Sequence, residues 1–536
     1  MTNYAKNVNR TVNRTPQNVK ATTEQKENNA GGFVFTIDLW SRLDRFLTIG
    51  ADRNTYYVKA KDSINDNYEV VIECAKEDGI RTVNHITDVS VAGRAPKNTP
   101  AVFALAVCAV FGNKGVKEAA FRAMPRVART ATDFFAFIND YKALGGGFGT
   151  VARKGIEAWY ADKEISDAAY QIIKYRQRNG WTHLDALRLA HVKPRNKAEA
   201  NLYGFAKSLA GKDADYTANL LPEVAQGYLL AQEAKKASQI VTLINDYNLP
   251  REAIPTQFLN DVDVWDSLLQ RMPATALIRN LGRMSSIGLL KAGSNARKMV
   301  VDKLSDGDWL RKSRIHPINV LNALYVYKTG HGVRGSLAWD PVGKVCDALD
   351  GAFYAAFDHV EPTGKRTMLA LDISGSMDMN WGEKNPSFSL SPREISAAMA
   401  MATARVEEDY FFTAFTSQIS ELNISPRQRL DDVIRFISSL YMGSTDCAQP
   451  MLYALKNNIL VDTFAVYTDN ETWYGAVHPF EALKTYRREM NPEAKLVVIA
   501  CSPTEFSIAD PSDAGMLDIS GFDANVPQII SDFARK

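Results

Sequence analysis

Cysteine, long apolar runs and alternating strand-like runs are what this chain has least of. Its five cysteines (Cys74, Cys108, Cys346, Cys447 and Cys501) are scattered, odd in number and without paired spacing. That pattern suits a reducing cytosol better than a disulfide framework or a zinc site. No stretch of about 18 apolar residues is present to span a bilayer, and the polar start has no signal-peptide core. The expectation is a soluble, cytoplasmic protein with no membrane partner.

Net charge is also small, 63 Lys+Arg against 61 Asp+Glu over 536 residues, but it is unevenly placed. Residues 361–536 hold 15 Lys+Arg and 24 Asp+Glu, leaving 48 and 37 for residues 1–360. A basic first part and an acidic second part suggest that the first meets a polyanion. Extra basic residues that merely solvate helix faces would give the same count. The length predicts roughly two to four domains.

Residues 1–30 are rich in Asn, Thr, Gln and Lys with almost nothing to bury, and composition predicts a disordered polar tail. Arg10, Arg14, Lys20 and Lys26 could make loose phosphate contacts there. From about Phe33 to His359, apolar residues recur at three- and four-residue spacings in successive short stretches, the period of helices with one buried face. So many short helices in a row suggest an α-solenoid of stacked pairs, without an exact repeat. After Glu361-Pro362-Thr363-Gly364 the texture changes. Strand-like runs Thr367–Leu371, Tyr410–Phe415, Thr463–Tyr467 and Lys495–Ala500 alternate with helical segments. That alternation predicts a doubly wound parallel sheet. The expected fold class is therefore multidomain α plus α/β, with a tail over 1–30, a helical module over 31–360 and an α/β domain over 361–536.

The first strand of that last domain runs into Asp372-Ile373-Ser374-Gly375-Ser376. Ligands of open α/β sheets gather outside the carboxyl ends of the strands, where these residues present three oxygens to a hard cation such as Mg²⁺. Gly443-Ser444-Thr445-Asp446 before a later helix and Asp469 at the end of another strand would converge on the same crevice. The set Asp372, Ser374, Ser376, Thr445 and Asp469 looks like the metal-ion-dependent adhesion site of a von Willebrand factor A domain. Such a cation could take an incoming carboxylate or phosphate oxygen, or could simply knit three loops together. A hydrolytic centre would need a base beside it. The histidine nearest Asp469, His478, precedes a helix and reads as a local hydrogen-bonding residue; Cys447 reads as packing.

In the helical part, the most suggestive basic segment runs from Lys174-Tyr175-Arg176-Gln177-Arg178-Asn179-Gly180-Trp181 to Arg188, His191 and Lys193. Lys174 and Arg178 stand four apart, a spacing that puts both on one helix face to grip adjacent phosphates. Arg and His planes can also stack on unpaired bases. Asn179-Gly180 should break the helix and Thr182 should cap the next. A solvated basic face is the plainer reading of such a cluster, and a structural hydrogen bond the plainer reading of His191. Further basic groups, among them Arg279 with Arg283, suggest an extended electropositive surface that binds shape, phosphates and single strands.

The order of modules resembles the Ro autoantigen family of RNA-binding ring proteins, whose helical part is called TROVE. The resemblance rests on Gly31-Gly32-Phe33, Arg42-Leu43-Asp44-Arg45-Phe46-Leu47 and Lys174 through Trp181. It continues in Met272-Pro273-Ala274-Thr275-Ala276-Leu277, Arg279-Asn280-Leu281-Gly282 and Lys328-Thr329-Gly330-His331-Gly332. The C-terminal part adds Glu361 through Arg366, Thr468-Asp469-Asn470-Glu471-Thr472 and Ile508-Ala509-Asp510-Pro511. The resemblance implies a monomeric ring of HEAT-like helical repeats closed by the A domain, with a divalent cation, Mg²⁺, at the site above. It implies no enzymatic activity. It implies binding of small structured Y RNAs on the outer surface, where Lys174, Arg178 and His191 match the family's positions, and passage of single-stranded ends of misfolded RNAs into the hole. Gly443-Ser444-Thr445-Asp446 departs from the family's Gly-Gly-Thr-Asp but keeps Thr445.

Two functions from different classes follow. The first is an RNA-binding quality-control scaffold that could hand RNA to an exoribonuclease. The alternative is a metal-dependent interaction or adhesion module whose functional surface is the A domain. A metal-dependent ribonuclease lacks a visible base.

Overall fold

In the computed structural model, residues 15–49, 60–333, 335–378 and 390–536 are described. Arg10 and Arg14 lie outside them. Residues 15–30 are not a disordered tail. They lie against the A domain through β1 (Lys26–Glu27), which pairs antiparallel with β2 (Phe33–Thr36). The physical reason is invisible to composition: Gln17, Gln25 and Asn28 are buried because their amides satisfy buried loop groups. Residues 26–36 therefore pack in space with the A domain.

Helix Leu39–Ile49 then opens the helical module. Many later helices pack on near neighbours in the chain, as Thr99–Phe111 does on Lys114–Val127 and on Ala131–Ala143, a solenoid-like pattern. The sequence punctuates these helices clearly. Asn113, Thr130, Thr182, Asn196 and Ser294 each accept a backbone N–H from their own first turn, worth about 1 kcal/mol apiece. Inside, large rings lock the pairs together; Phe134 stacks on Trp159 at 4.2 Å. A two-stranded hairpin, β3 (Gln177–Arg178) and β4 (Trp181–Thr182), interrupts the helices. The module curves until its end meets its beginning. His316 Nδ1 accepts from the Ile318 N–H, which leaves Nε2 to donate to the Arg94 carbonyl at 2.9 Å. Asn319 Nδ2 donates to the Pro96 carbonyl at 2.8 Å. The helices thus close into a ring.

The A domain is built on β5 (Thr367–Asp372), β6 (Tyr410–Phe415), β7 (Ile419–Leu422), β8 (Thr463–Thr468), β9 (Lys495–Ala500) and β11 (Met516–Ser520). A short β10 (Phe506–Ser507) pairs with β2 instead. The sheet order is β11-β9-β8-β5-β6-β7, parallel except for β7. Alternate residues serve the two faces. Leu369, Leu371, Tyr467 and Val497 belong to the core shared with the ring, whereas Met368, Ala370, Phe464 and Val466 pack with Val34 and Phe35 of β2. Chain order reverses between β5 and β8, the switch point at which such sheets bind ligands. Among the described residues no helix is long and apolar enough to cross a membrane.

Candidate nucleic-acid interface and metal centre

Helix Ile165–Lys174 ends at Lys174, and the chain turns through Tyr175 into β3. Asn179 (φ 51°) and Gly180 (φ 76°) both occupy the left-handed region, the requirement of a tight two-residue hairpin turn. Lys174 and Arg178 therefore do not share a helix face, because the Asn-Gly turn overrides the helical spacing. They meet over one ring: Lys174 Nζ lies 5.5 Å and the Arg178 guanidinium 5.7 Å from the centroid of Tyr175. Burial works against the Lys174 charge, yet Tyr170 and Tyr175 hold its pKa above the ordinary lysine value. Arg176 is pinned elsewhere, donating to the Tyr228 hydroxyl at 2.9 Å and to the Glu252 carbonyl.

Thr182 caps helix His183–Ala190 in a capping box with Asp185. That helix ends at His191, which takes the left-handed cap position (φ 52°). His191 is exposed, as are Arg188 and Lys193, and is not a buried structural histidine. His183 fills that role, buried beside Tyr160, whose hydroxyl lies 2.9 Å from Nδ1. The hairpin presents exposed Arg178 over a tyrosine ring, and the end of the helix that follows presents Arg188, His191 and Lys193 as exposed cationic or stackable groups.

At the sheet's carboxyl edge, Asp372 ends β5 and is completely buried. Its Oδ1 accepts from the Ser374 N–H at 2.9 Å and its Oδ2 from the Thr468 hydroxyl at 2.7 Å. Ser374 and Ser376 hydroxyls are 3.2 Å apart. Asp469, one residue past β8, interacts with Ser376. Thr445 reaches this edge because its loop is tied to both sides. The Asp446 N–H donates to the Thr416 carbonyl just past β6, and the Trp473 and Tyr474 N–H groups donate to the Thr445 carbonyl. Burial raises the pKa of both Asp372 and Asp469, and the charge of Asp469 raises Asp372 further. Two buried like charges among hydroxyl oxygens form a donor set that a hard divalent cation satisfies.

A family model described as the TROVE domain matches residues 26–249 and 246–326, and one described as the Ro60 vWA domain matches residues 366–534. The chain belongs to the Ro60 family. It is 39% identical over 534 residues to a Deinococcus radiodurans protein named "RNA-binding protein RO60", covering 99% of each. A Caenorhabditis elegans protein of the same name is 35% identical over 600 residues, covering 97% of this chain and 92% of its own. The crystal structure of the Deinococcus radiodurans RO (RSR) protein superposes with a TM-score of 0.68 at 38% identity, over 93% of this chain and 99% of that one.

Within this Ro60-family chain, several residues around the sites carried no sequence signal. Tyr170 and Tyr175 beneath the cations were hidden as ordinary helix-end aromatics. Asp446, beside Thr445, has its carboxyl pushed up to about 6 by burial and is held by Gln449, the Ala448 N–H and Gln17. A cavity of 580 Å³ gathers Arg251, Arg279, Arg283, Asn319, Tyr327 and Trp339. Of these only the Arg279–Arg283 pair was legible as a basic group. Gly282 lies so close to Trp339 that any side chain there would strike the indole. His478 is fully buried, with Nε2 2.8 Å from the Val19 carbonyl and Nδ1 3.2 Å from Gln25 Nε2; it does not fold back toward Asp469.

Proposed function

We propose that this chain binds small structured noncoding RNA of the Y type on the outer surface around Lys174, Arg178 and His191. Single-stranded ends of misfolded RNA enter the ring, and the chain acts in noncoding RNA quality control. The observation that carries this reading is the hairpin platform, where two cations share one tyrosine ring, in a segment whose following helix exposes Arg188, His191 and Lys193. Cations fix phosphates while aromatic and guanidinium planes accept unpaired bases. The cavity lined by Arg279, Arg283 and Trp339 offers the same pairing of charge and ring for a single strand.

The chain works as a cytoplasmic, monomeric binding ring rather than an enzyme, possessing free buried thiols suited to a reducing compartment and a metal-site histidine neighbour occupied in hydrogen bonds. A partner that consumes RNA, such as an exoribonuclease, supplies the chemistry. Asp372, Ser374, Ser376, Thr445 and Asp469 hold Mg²⁺, which neutralises their buried charge and offers a Lewis-acidic point to an anionic group. A second reading has one specific support: Tyr441, Met442, Trp473 and Tyr474 are exposed on the loops that carry Thr445 and Asp469. That apolar rim suits a protein partner docking on the A domain.

RNA affinity measured against salt decides the leading reading. Affinity should fall with a log–log slope of about 0.7–0.9 per neutralised phosphate. Absence of RNA binding at low salt would refute it. RNA shortened by protein plus Mg²⁺, but spared by Asp372→Ala, would instead make the chain a nuclease.

A further inference from the structure

We infer that the N-terminal segment Thr15–Gly32 is a positioning element of the cation site: its Gln17 and Asn28 amides fix the two loops that carry Thr445 and Asp469, and so set the site's affinity for a divalent cation. The inference rests on the reading that those loops, with Asp372, Ser374 and Ser376, hold the cation.

Gln17 is wholly buried, and every polar atom of its side chain ends on these loops. Its Nε2 donates to Asp446 Oδ1 and to the Val477 carbonyl, each at 2.7 Å, and its Oε1 accepts from the Thr472 hydroxyl. Its backbone N–H donates to the Gly475 carbonyl at 2.8 Å. Asp446 directly follows Thr445, so one amide reaches the Thr445 loop and the loop after Asp469 together. Asn28 Nδ2 donates to the carbonyls of Asn470 (3.2 Å) and Thr472 (2.9 Å). Asn29 adds a bond to Glu471 at 2.6 Å.

Asn470 gives these contacts their consequence. It immediately follows Asp469 and sits at φ 66°, a conformation that a non-glycine residue keeps only where its surroundings hold it. Its N–H donates to the Thr468 hydroxyl, which donates to Asp372 Oδ2. A line of hydrogen bonds therefore runs from Asn28 through Asn470 and Thr468 to the carboxylate at the end of β5. The two surfaces also fit without spare room. A methyl group at Gly32 would strike the Thr472 carbonyl, and one at Gly475 would strike the Gln17 amide and the Asp446 carboxylate. Residues that orient metal ligands typically change metal affinity 10- to 100-fold when removed.

Gln25 provides an internal contrast. It is equally buried in the same segment, but it bonds to Ala21, Thr22 and Phe33 and touches the loop after Asp469 only at its far end, through the His478 ring, with no bond to Asp446 or to residues 470–475. Calorimetric titration of the full chain with MgCl₂, with melting of the metal-free protein alongside, separates positioning from general support. Gln17→Ala and Asn28→Ala should each raise the Mg²⁺ Kd about 10-fold or more, whereas Gln25→Ala should lower the metal-free melting temperature and leave Kd unchanged. Should Gln17→Ala fail to fold, Asn28→Ala carries the same comparison. Wild-type Kd in Gln17→Ala or Asn28→Ala, with a melting loss like that of Gln25→Ala, would overturn the inference. No Mg²⁺ binding by the wild-type chain would instead overturn the cation reading beneath it.

Discussion

Arg45→Met tests how the ring is fastened to the A domain. Arg45 lies on helix Leu39–Ile49 with only 1% of its side chain exposed. Its Nη2 donates to both Asp518 oxygens at 2.6 Å, and its Nη1 to the carbonyls of Thr504 and Phe506. Burial raises the Asp518 pKa and Arg45 pulls it back down, so the carboxylate depends on this guanidinium. Methionine keeps much of the volume and removes the charge, leaving a buried carboxylate unpaired. Breaking a buried pair in this way costs about 3–5 kcal/mol, against roughly 0–1 for an exposed pair. The transition in which the A domain separates from the ring should fall by on the order of 10 °C. With Arg45 gone, the folded carboxyl has a pKa further above its unfolded value. The folded state then binds the extra proton, and the deficit should shrink as pH falls from 7 toward 5. Arg45→Met with Asp518→Leu should recover most of the loss, since the unpaired charge goes with its partner. The measurement is urea and thermal unfolding of the full chain by circular dichroism at several pH values. A loss under about 1 kcal/mol, or a double variant as unstable as the single one, would refute the reasoning.

Lys174→Ala combined with His191→Ala should weaken structured-RNA binding about 10-fold or more and reduce the salt slope by about 0.7–0.9, with melting nearly unchanged; gel-shift titration reads this, and unaltered affinity would move the outer site elsewhere. Burial holds the His183 imidazole down to about 3, against about 6.5 when unfolded. Its contribution is thus complete above pH 6.5 and is lost as pH falls toward 3, about 2 kcal/mol by pH 5. His183→Phe should flatten that part of the stability profile, and parallel wild-type and variant profiles would contradict it. At the proposed cation site, Asp372→Asn removes one of two buried like charges. The metal-free protein should melt higher and lose its response to Mg²⁺, whereas an unchanged Mg²⁺ response by differential scanning fluorimetry would place the cation elsewhere.

The parts of this architecture readable in sequence were those where one physical signal dominates. β5, β6, β8 and β9 are buried on both faces, so they stand out as continuous apolar runs within a residue or so of their observed ends. β11 was missed because Met516–Ser520 contains Asp518, whose charge belongs to the junction with Arg45. The Lys174–Arg178 spacing misled because a four-residue interval means one face only while the helix continues. Asn179-Gly180 signalled a break, and its two left-handed residues make the stronger statement of a hairpin. Residues 15–30 misled for a different reason. Their burial is driven by amide hydrogen bonds to specific loop carbonyls, and composition carries no record of partners more than 400 residues away. The same holds at the proposed cation site. Asp372, Ser374 and Ser376 lie within five residues and can be read together, while the supporting Asp446, Asn470 and Thr468 acquire meaning only when β5, β8 and the loop before helix Gln449–Lys456 are adjacent.

These contacts make the A domain the fastening of the ring, and one residue shows how. The chain leaves the A domain through β2, runs around the helices and returns through helix Gly343–Ala355 into β5, so both ends of the helical module are held by one body. Arg45–Asp518 secures the outgoing end; Arg429–Asp347, Lys328–Asp431 and the Arg405 guanidinium, 3.3 Å above the Tyr354 ring, secure the returning end. Arg94 joins all three parts. Its carbonyl accepts from His316 at the far end of the ring, and its guanidinium pairs with Asp523 of the A domain and with Asp44 of the first helix. Burial opposes the Asp523 charge and Arg94 supports it, while Asp523 and Asp44 together hold the Arg94 guanidinium charged. A ring that opened to admit RNA sideways would have to part the His316–Arg94 and Asn319–Pro96 bonds, and the A domain would still tether both ends through separate ion pairs. On the proposed function, a free end threading through the closed ring would break none of these contacts, so that reading expects a single-stranded terminus, rather than an internal loop, to be the RNA element taken up.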